Sequence, residues 1–280
     1  MALDPARALG LRHGPVVLRW SEAETGHYAL AIGATSIAPR LGGDAPPTAF
    51  PAWAATLARS ARPDFRALGL DRARVIHLSQ GLELHGPFAA AGQASGESEV
   101  TAIHDSAAKG AIIEIRTRIL APAGTVLATT WARYLARDAG GFGGRPPPAR
   151  ARAEAPPRPA DAVVELPTRP DQARLYSALG DTNPIHLDAA AARAAGFERP
   201  ILHGLCTFGV VGLGVAQALC DGDPGNLTGL ELDFVAPVCP GDALRLAAWR
   251  EEGGAGLELT VTGRATAVAC RGRCSLRSAA

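Results

Sequence analysis

The residues best equipped for chemistry lie in one short run, Asp181-Thr182-Asn183-Pro184-Ile185-His186, which gathers a carboxylate, a carboxamide and an imidazole within six positions. Carboxylates and imidazoles transfer protons and a carboxamide orients by hydrogen bonding, so the cluster suits general acid/base work on a single water. Pro184 pushes Asn183 out of the helical region, so residues 181–186 are expected to be a turn rather than a helix. Asp188 then offers an N-cap to an alanine-rich helix over 189–195, which Gly196 ends. On the turn alone a plainer account stands beside the chemical one: Asp181 and Asn183 build an Asx turn and His186 lies on the surface.

The next element favours chemistry. Pro200-Ile-Leu-His203-Gly204-Leu-Cys-Thr-Phe-Gly209 opens a long apolar helix over 205–219. Gly209, Gly212 and Gly214 inside it each cost about 0.5 to 1 kcal/mol relative to alanine, so something needs close backbone approach. Close packing on a curved sheet explains those three well and Gly204 less well. At the helix start, the Gly204 N–H lies in the positive field of the terminus and suits a developing oxyanion.

The elements that must hold these residues follow from the rest of the 280-residue chain. It is 47% apolar with a net charge of +1, a globular composition that speaks against nucleic-acid binding. The apolar run at 205–219 is shorter than the ~20 residues of a membrane span, so a buried helix in a soluble protein is expected. Five cysteines, odd in number, with no CxxC pair and no secretory leader, read as reduced thiols of a cytoplasmic protein. The C-terminal tripeptide is not a peroxisomal address.

A proline- and arginine-rich stretch at 145–160 reads as a linker between an N-terminal half, 1–144, and a C-terminal half, 161–280. The first half should form a short helix at 51–60 and strands near 75–84, 98–105, 111–120 and 125–137. The second should place strands near 227–235, 243–249, 257–261 and 265–276 after its long helix. Strands clustered after a helix indicate an α+β fold with an antiparallel sheet. A faint echo suggests duplication: Tyr28-Ala-Leu-Ala-Ile-Gly33 parallels Tyr176-Ser-Ala-Leu-Gly180, but only the second copy continues into the polar cluster.

The pattern Tyr176-x-x-x-Gly180-Asp181-x-Asn183-Pro184-x-His186-x-Asp188, followed by Gly196-Phe197 and the 200–209 segment, resembles the signature of R-specific enoyl-CoA hydratases of the MaoC-like type. The resemblance extends to Asp233-Phe234-x-x-Pro237-Val238-x-Pro240-Gly241-Asp242, to His77-Leu78-Ser79-Gln80, to Lys109-Gly110-Ala111 and to the Gly140–Gly144 loop, covering nearly the whole chain. It implies a double hot-dog fold in which the N-terminal copy has lost its central helix and catalytic residues, leaving room for bulky or long acyl chains. It implies reversible hydration of trans-2-enoyl-CoA to (3R)-3-hydroxyacyl-CoA, with an acyl-CoA substrate, no metal or other cofactor, and a homodimeric assembly.

By the same resemblance Asp181 and His186 hold the water, Asn183 supports the site and the Gly204 N–H binds the thioester oxygen. His77, Leu78, Lys109 and Phe234 line the substrate; Lys109 as an ordinary solvated turn lysine is an equal alternative. Leu78-Ser79 stands where the family pattern has Gly-Glu, which implies a reshaped N-terminal substrate surface. Rival readings are the same chemistry on a branched, sterol side-chain or dicarboxylic enoyl-CoA, a non-catalytic acyl-CoA-binding partner subunit, and a hot-dog thioesterase. The Gly140–Gly144 loop is followed by prolines instead of a helix and lacks a dinucleotide-binding context. Cys270 and Cys274 have no nearby histidine to complete a zinc set, and Asn226-Leu-Thr is a chance glycosylation match.

Overall fold

A computed structural model describes residues 3–34, 47–149, 154–263 and 267–277. Its ten strands form one antiparallel sheet: β1 (Arg12–Trp20), β2 (Val75–Leu84), β3 (Gly92–Asp105), β4 (Ala111–Leu120), β5 (Val126–Ala136), β6 (Ala162–Pro167), β7 (Leu227–Phe234), β8 (Ala243–Glu251), β9 (Gly254–Thr262) and β10 (Ala267–Leu276). The N-terminal strands run in the order β1-β3-β4-β5-β2, and the C-terminal strands, read from their own outer edge, run β6-β8-β9-β10-β7. Both halves thus use first-third-fourth-fifth-second order, and they join where β2 pairs with β7 from Ser79↔Asp233 to Glu83↔Gly229. The echo in sequence is a repeat in topology, and the fold is an α+β double hot-dog.

The strands form where apolar and polar residues alternate. In β5 the burial runs regularly between buried and half-buried positions, as a sheet with one face on a core requires. Each half lays a helix on its sheet. In the C-terminal half this is α6 (Gly204–Leu219), a 16-residue element packed against β2, β6, β7 and β8. In the N-terminal half the equivalent is α3 (Trp53–Ala58), six residues long and packed against β2, β4, β5 and α6. The first copy's helix is therefore shortened, not lost. A 3-10 turn at Arg59–Ala61 follows it, bringing Arg59 and Arg62 toward the other half.

Before these helices lie α2 (Glu22–Ala31) and α4 (Gln172–Ser177), which carry the two tyrosines of the repeat and touch each other. Tyr28 and Tyr176 meet edge to face at 6.2 Å, both fully buried. The described part of the 145–160 segment has no regular structure, and residues 150–153 of that expected linker lie outside the described residues.

The helix glycines allow this packing. A Cβ on Gly209 would stand 2.5 Å from Ile32 Cγ2 and 2.6 Å from the Tyr28 hydroxyl, and one on Gly214 2.7 Å from both Leu166 and Leu246. Gly209→Ala gains up to about 1 kcal/mol of helix propensity but forces α6 away from α2 at a cost of about 1–3 kcal/mol. The overlap wins, so the variant should unfold at lower denaturant concentration; an unchanged midpoint would refute the close-approach argument. No helix among the described residues is long and apolar enough to cross a membrane.

Candidate active site

Asn183 caps a 3-10 turn, Pro184–His186, its Oδ1 accepting the Ile185 N–H at 3.3 Å, while Asp181 Oδ1 accepts the Asn183 N–H at 3.3 Å. The expected loop thus ends in a helical turn, because proline at the first position supplies the φ a helix start needs. The Asx turns of the plainer account do form, but His186 is only 8% exposed. Downstream, Asp188 Oδ1 caps α5 (Ala189–Ala194) through the Ala191 N–H at 2.7 Å, which fixes the loop's far end.

His186 Nδ1 donates to the Ile201 carbonyl at 2.9 Å. A carbonyl only accepts, so in the neutral ring the proton sits on Nδ1 and Nε2 is an acceptor. Burial is the main cause that draws its pKa below the usual histidine value, with Arg72 adding to it against the Ile201 bond and Asp181. His203, whose ring stacks on His186 at 3.7 Å between centroids, donates from Nε2 to the Asp181 backbone carbonyl at 3.0 Å. It therefore ties the N-cap of α6 to the start of the motif loop. Burial, then the neighbouring His186, pushes its pKa down to about 3.

Asp181 receives an arginine from the other half of the chain: Arg72 Nη2 donates to its Oδ1 at 2.6 Å. Arg59 lies close by, its Nη2 donating to the Leu179 carbonyl at 2.9 Å. Burial raises the Asp181 pKa, but His203, Arg59, His186 and Arg72 outweigh it and hold the carboxyl below its ordinary value. Because both imidazoles are uncharged at neutral pH, the two guanidiniums carry that effect there.

Asp181, Asn183, His186, Gly204, His77, Leu78 and Phe234 all border one cavity of about 330 Å³. Gly204 starts α6 with no side-chain cap, so its N–H has neither a helical nor a capping acceptor. The rings of His77 and Phe234 flank it closely: a Cβ there would stand 3.1 Å from His77 Nδ1 and 3.4 Å from the Phe234 ring. Leu78 is reached through a register shift between His77 and Ser79 in the β2–β5 pairing, a bulge that re-aims a side chain. Burial, then Arg62, lowers the His77 pKa to about 3, and its Nε2 is buried without a hydrogen-bond partner.

Lys109 is not among the residues that line this cavity; it is exposed, at the end of a 3-10 turn, Ala107–Lys109. Asp105 binds this turn to the glycine loop, accepting from the N–H groups of Ala107, Gly141 and Gly143 at 2.7–2.8 Å. The loop's glycines thus serve a carboxylate anchor. All five cysteines are free and buried, which suits the expected reduced state.

Arg59, Arg62, Arg72 and His203 were not expected at the site. The arginines are more than a hundred residues from the motif, so no local spacing could reveal them. His203 stood in the quoted segment, and its place at an uncapped helix start was the available signal.

Asp181, His186 and His203 offer donor atoms within 4.8 Å of one another, the spacing of a metal-ligand set. Two guanidiniums stand beside the carboxylate, and their positive charge opposes a dication there.

The buried neutral histidines predict acid lability. Below pH 6.5 an unfolded chain protonates them while folded His77 and His203 resist down to about 3, so falling pH favours unfolding. The melting temperature should fall progressively between those limits, and His203→Asn should flatten the slope. A pH-independent melting curve would contradict the burial of these rings.

A duplicated five-stranded sheet, one copy carrying an acid/imidazole loop against a helix terminus beside a cavity, defines a double hot-dog protein. Residues 152–269 match the family model described as MaoC like domain. The chain is 36% identical over 267 residues to 3-hydroxyacyl-thioester dehydratase Y of Mycobacterium tuberculosis, covering 91% of this chain and 90% of that protein. It is 36% identical over 262 residues to enoyl-CoA hydratase ChsH3 of the same organism, covering 90% and 91%. A MaoC-like dehydratase from Phytophthora capsici superposes with a TM-score of 0.85 at 24% identity, over 99% of this chain and 98% of that one. The chain belongs to the MaoC-like dehydratase family.

Proposed function

We propose that this chain catalyses the reversible hydration of trans-2-enoyl-CoA to (3R)-3-hydroxyacyl-CoA. The observation that carries the reading is the convergence of Asp181, His186 and the uncapped N–H of Gly204 on one cavity. Relatives named as hydratases and dehydratases support the reaction class, since these are two directions of one reaction.

A water between Asp181 and the bare Nε2 of His186 donates one O–H to each, which turns its lone pair toward the substrate β-carbon. As the O–Cβ bond forms, one acceptor takes the water's proton and the Cα=Cβ electron pair moves toward the thioester carbonyl. The Gly204 N–H meets the charge growing on that oxygen, strengthened by the helix terminus. The proton then passes to Cα, and the product holds the elements of one water. Asp181 is the assigned base and His186 the orienter and proton partner. Asn183 supports the loop, and His77, Leu78 and Phe234 face the substrate.

The test is loss of conjugated thioester absorbance with a series of enoyl-CoA esters, coupled to a dehydrogenase specific for the (3R) product. Turnover with only the (3S) product would overturn the stereochemical assignment, and acyl-CoA binding without any turnover would favour a non-catalytic partner. Removing a guanidinium also has a definite sign. Arg72→Met removes a lowering influence on both Asp181 and His186, so the acid limb of kcat/KM should move to higher pH. A shift to lower pH would contradict the electrostatics described above.

A further inference from the structure

The cavity wall is unexpectedly cationic for a site that takes a hydrocarbon chain. Arg59, Arg62 and Arg72 line it, against the single carboxylate of Asp181, while its other walls are largely apolar, including Phe65, Ile76 and Leu205. Arg72 is committed to Asp181. The other two bond neutral groups: Arg59 the Leu179 carbonyl and Arg62 the Tyr134 hydroxyl. Arg62 also lies over the rings of Phe65 and Tyr134, which hold its guanidinium in place. Arg59 Nε is buried without a hydrogen-bond partner. Both guanidiniums are half-buried, with the Asp181 carboxylate near Arg59, and an anion arriving with the ligand would offset the cost of withdrawing their charge from water.

A second, smaller cavity of about 20 Å³ adjoins the first, sharing Arg59, Arg62, Tyr134 and Leu205. Gln80, Thr117 and Thr130 complete its polar lining, and neither Asp181, His186 nor Gly204 belongs to it. This smaller cavity lies against the N-terminal sheet, with Arg59 and Arg62 on the wall it shares with the larger one. Its size suits one small polar group.

Building on the hydratase reading, we propose that the preferred acyl group carries a carboxylate at its end remote from the thioester, received by Arg59 and Arg62. Guanidinium forks bind carboxylates through paired, charge-assisted hydrogen bonds. A methyl-terminated chain would cover these guanidiniums without supplying a counter-charge, so the site discriminates against it.

The experiment compares kcat/KM for an ω-carboxy-trans-2-enoyl-CoA with that for the methyl-terminated ester of equal length. The wild-type enzyme should favour the carboxylate ester by about 10- to 100-fold, and Arg59→Met and Arg62→Met should each collapse most of that ratio. Arg62→Lys, which keeps the charge, should retain part of it. A wild-type preference for the methyl ester, or a ratio unmoved by both methionine variants, overturns the proposal. Pantetheine thioesters of both acids provide the control for the coenzyme's phosphates. If the variants harm both CoA esters equally and neither pantetheine ester, the arginines bind phosphate and the proposal fails. If no ester turns over, the hydratase reading fails; calorimetry with a saturated ω-carboxyacyl-CoA then decides the carboxylate site alone, wild type against Arg62→Met.

Discussion

Asp181→Asn and His186→Ala should each lower kcat/KM for enoyl-CoA hydration by about 10³-fold or more. General acid/base groups typically contribute 10²- to 10⁴-fold, and here the two share one water, so losing either removes both activation and orientation. Asn keeps the shape of Asp181 and a hydrogen bond to the water but cannot take its proton. His186→Ala leaves the Ile201 carbonyl without its donor and opens space beside His203, so its melting temperature should fall as well. Asp181→Asn separates chemistry from folding, because the loop's backbone bonds survive. The double variant should be little worse than either single one, as expected for residues acting as a unit. Full turnover by both single variants would remove the pair from the mechanism.

The second large effect falls on a residue with no side chain. Gly204→Val retains the N–H but places a branched group where a Cβ alone stands 3.1 Å from His77 Nδ1 and 3.4 Å from the Phe234 ring. The methyl groups would occupy the position the thioester oxygen needs. Losing one oxyanion donor costs about 10²- to 10³-fold, and blocking access to it should cost at least as much. The loss should appear in kcat/KM with a near-normal melting temperature, since position 204 faces the cavity at the helix start rather than the core. Gly204→Ala, which needs His77 to give by only a few tenths of an ångström, should be milder. Equal activity for wild type and the valine variant would show that the carbonyl binds elsewhere.

Within this site, legibility in the sequence follows chain distance. Asp181, Asn183, His186 and Gly204 lie on one loop and the helix it feeds, so their types and spacing carried the chemistry. The bounds of β2 and β4 fall at the expected residues, and β4 alternates buried with more exposed positions as a half-buried sheet requires. β1 escaped notice because most of its residues are exposed, leaving little pattern to read, and the six-residue β6 is too short to stand out. The short helix expected at 51–60 forms as α3 and packs on the sheet, where the resemblance implied that the central helix was lost. Lys109, which the resemblance put beside the substrate, stands on an exposed turn and is not among the residues lining the cavity.

What the chain determined by itself was local: the proton-transfer loop, the uncapped glycine at the mouth of α6 and the small residues that let that helix pack closely. Folding decided what surrounds them. Pairing of β2 with β7 brings the first half's arginines to the second half's carboxylate, and burial makes three imidazoles neutral. Charge and desolvation at a site depend on distances in space, and the residues that set them here are separated by a hundred positions or more along the chain.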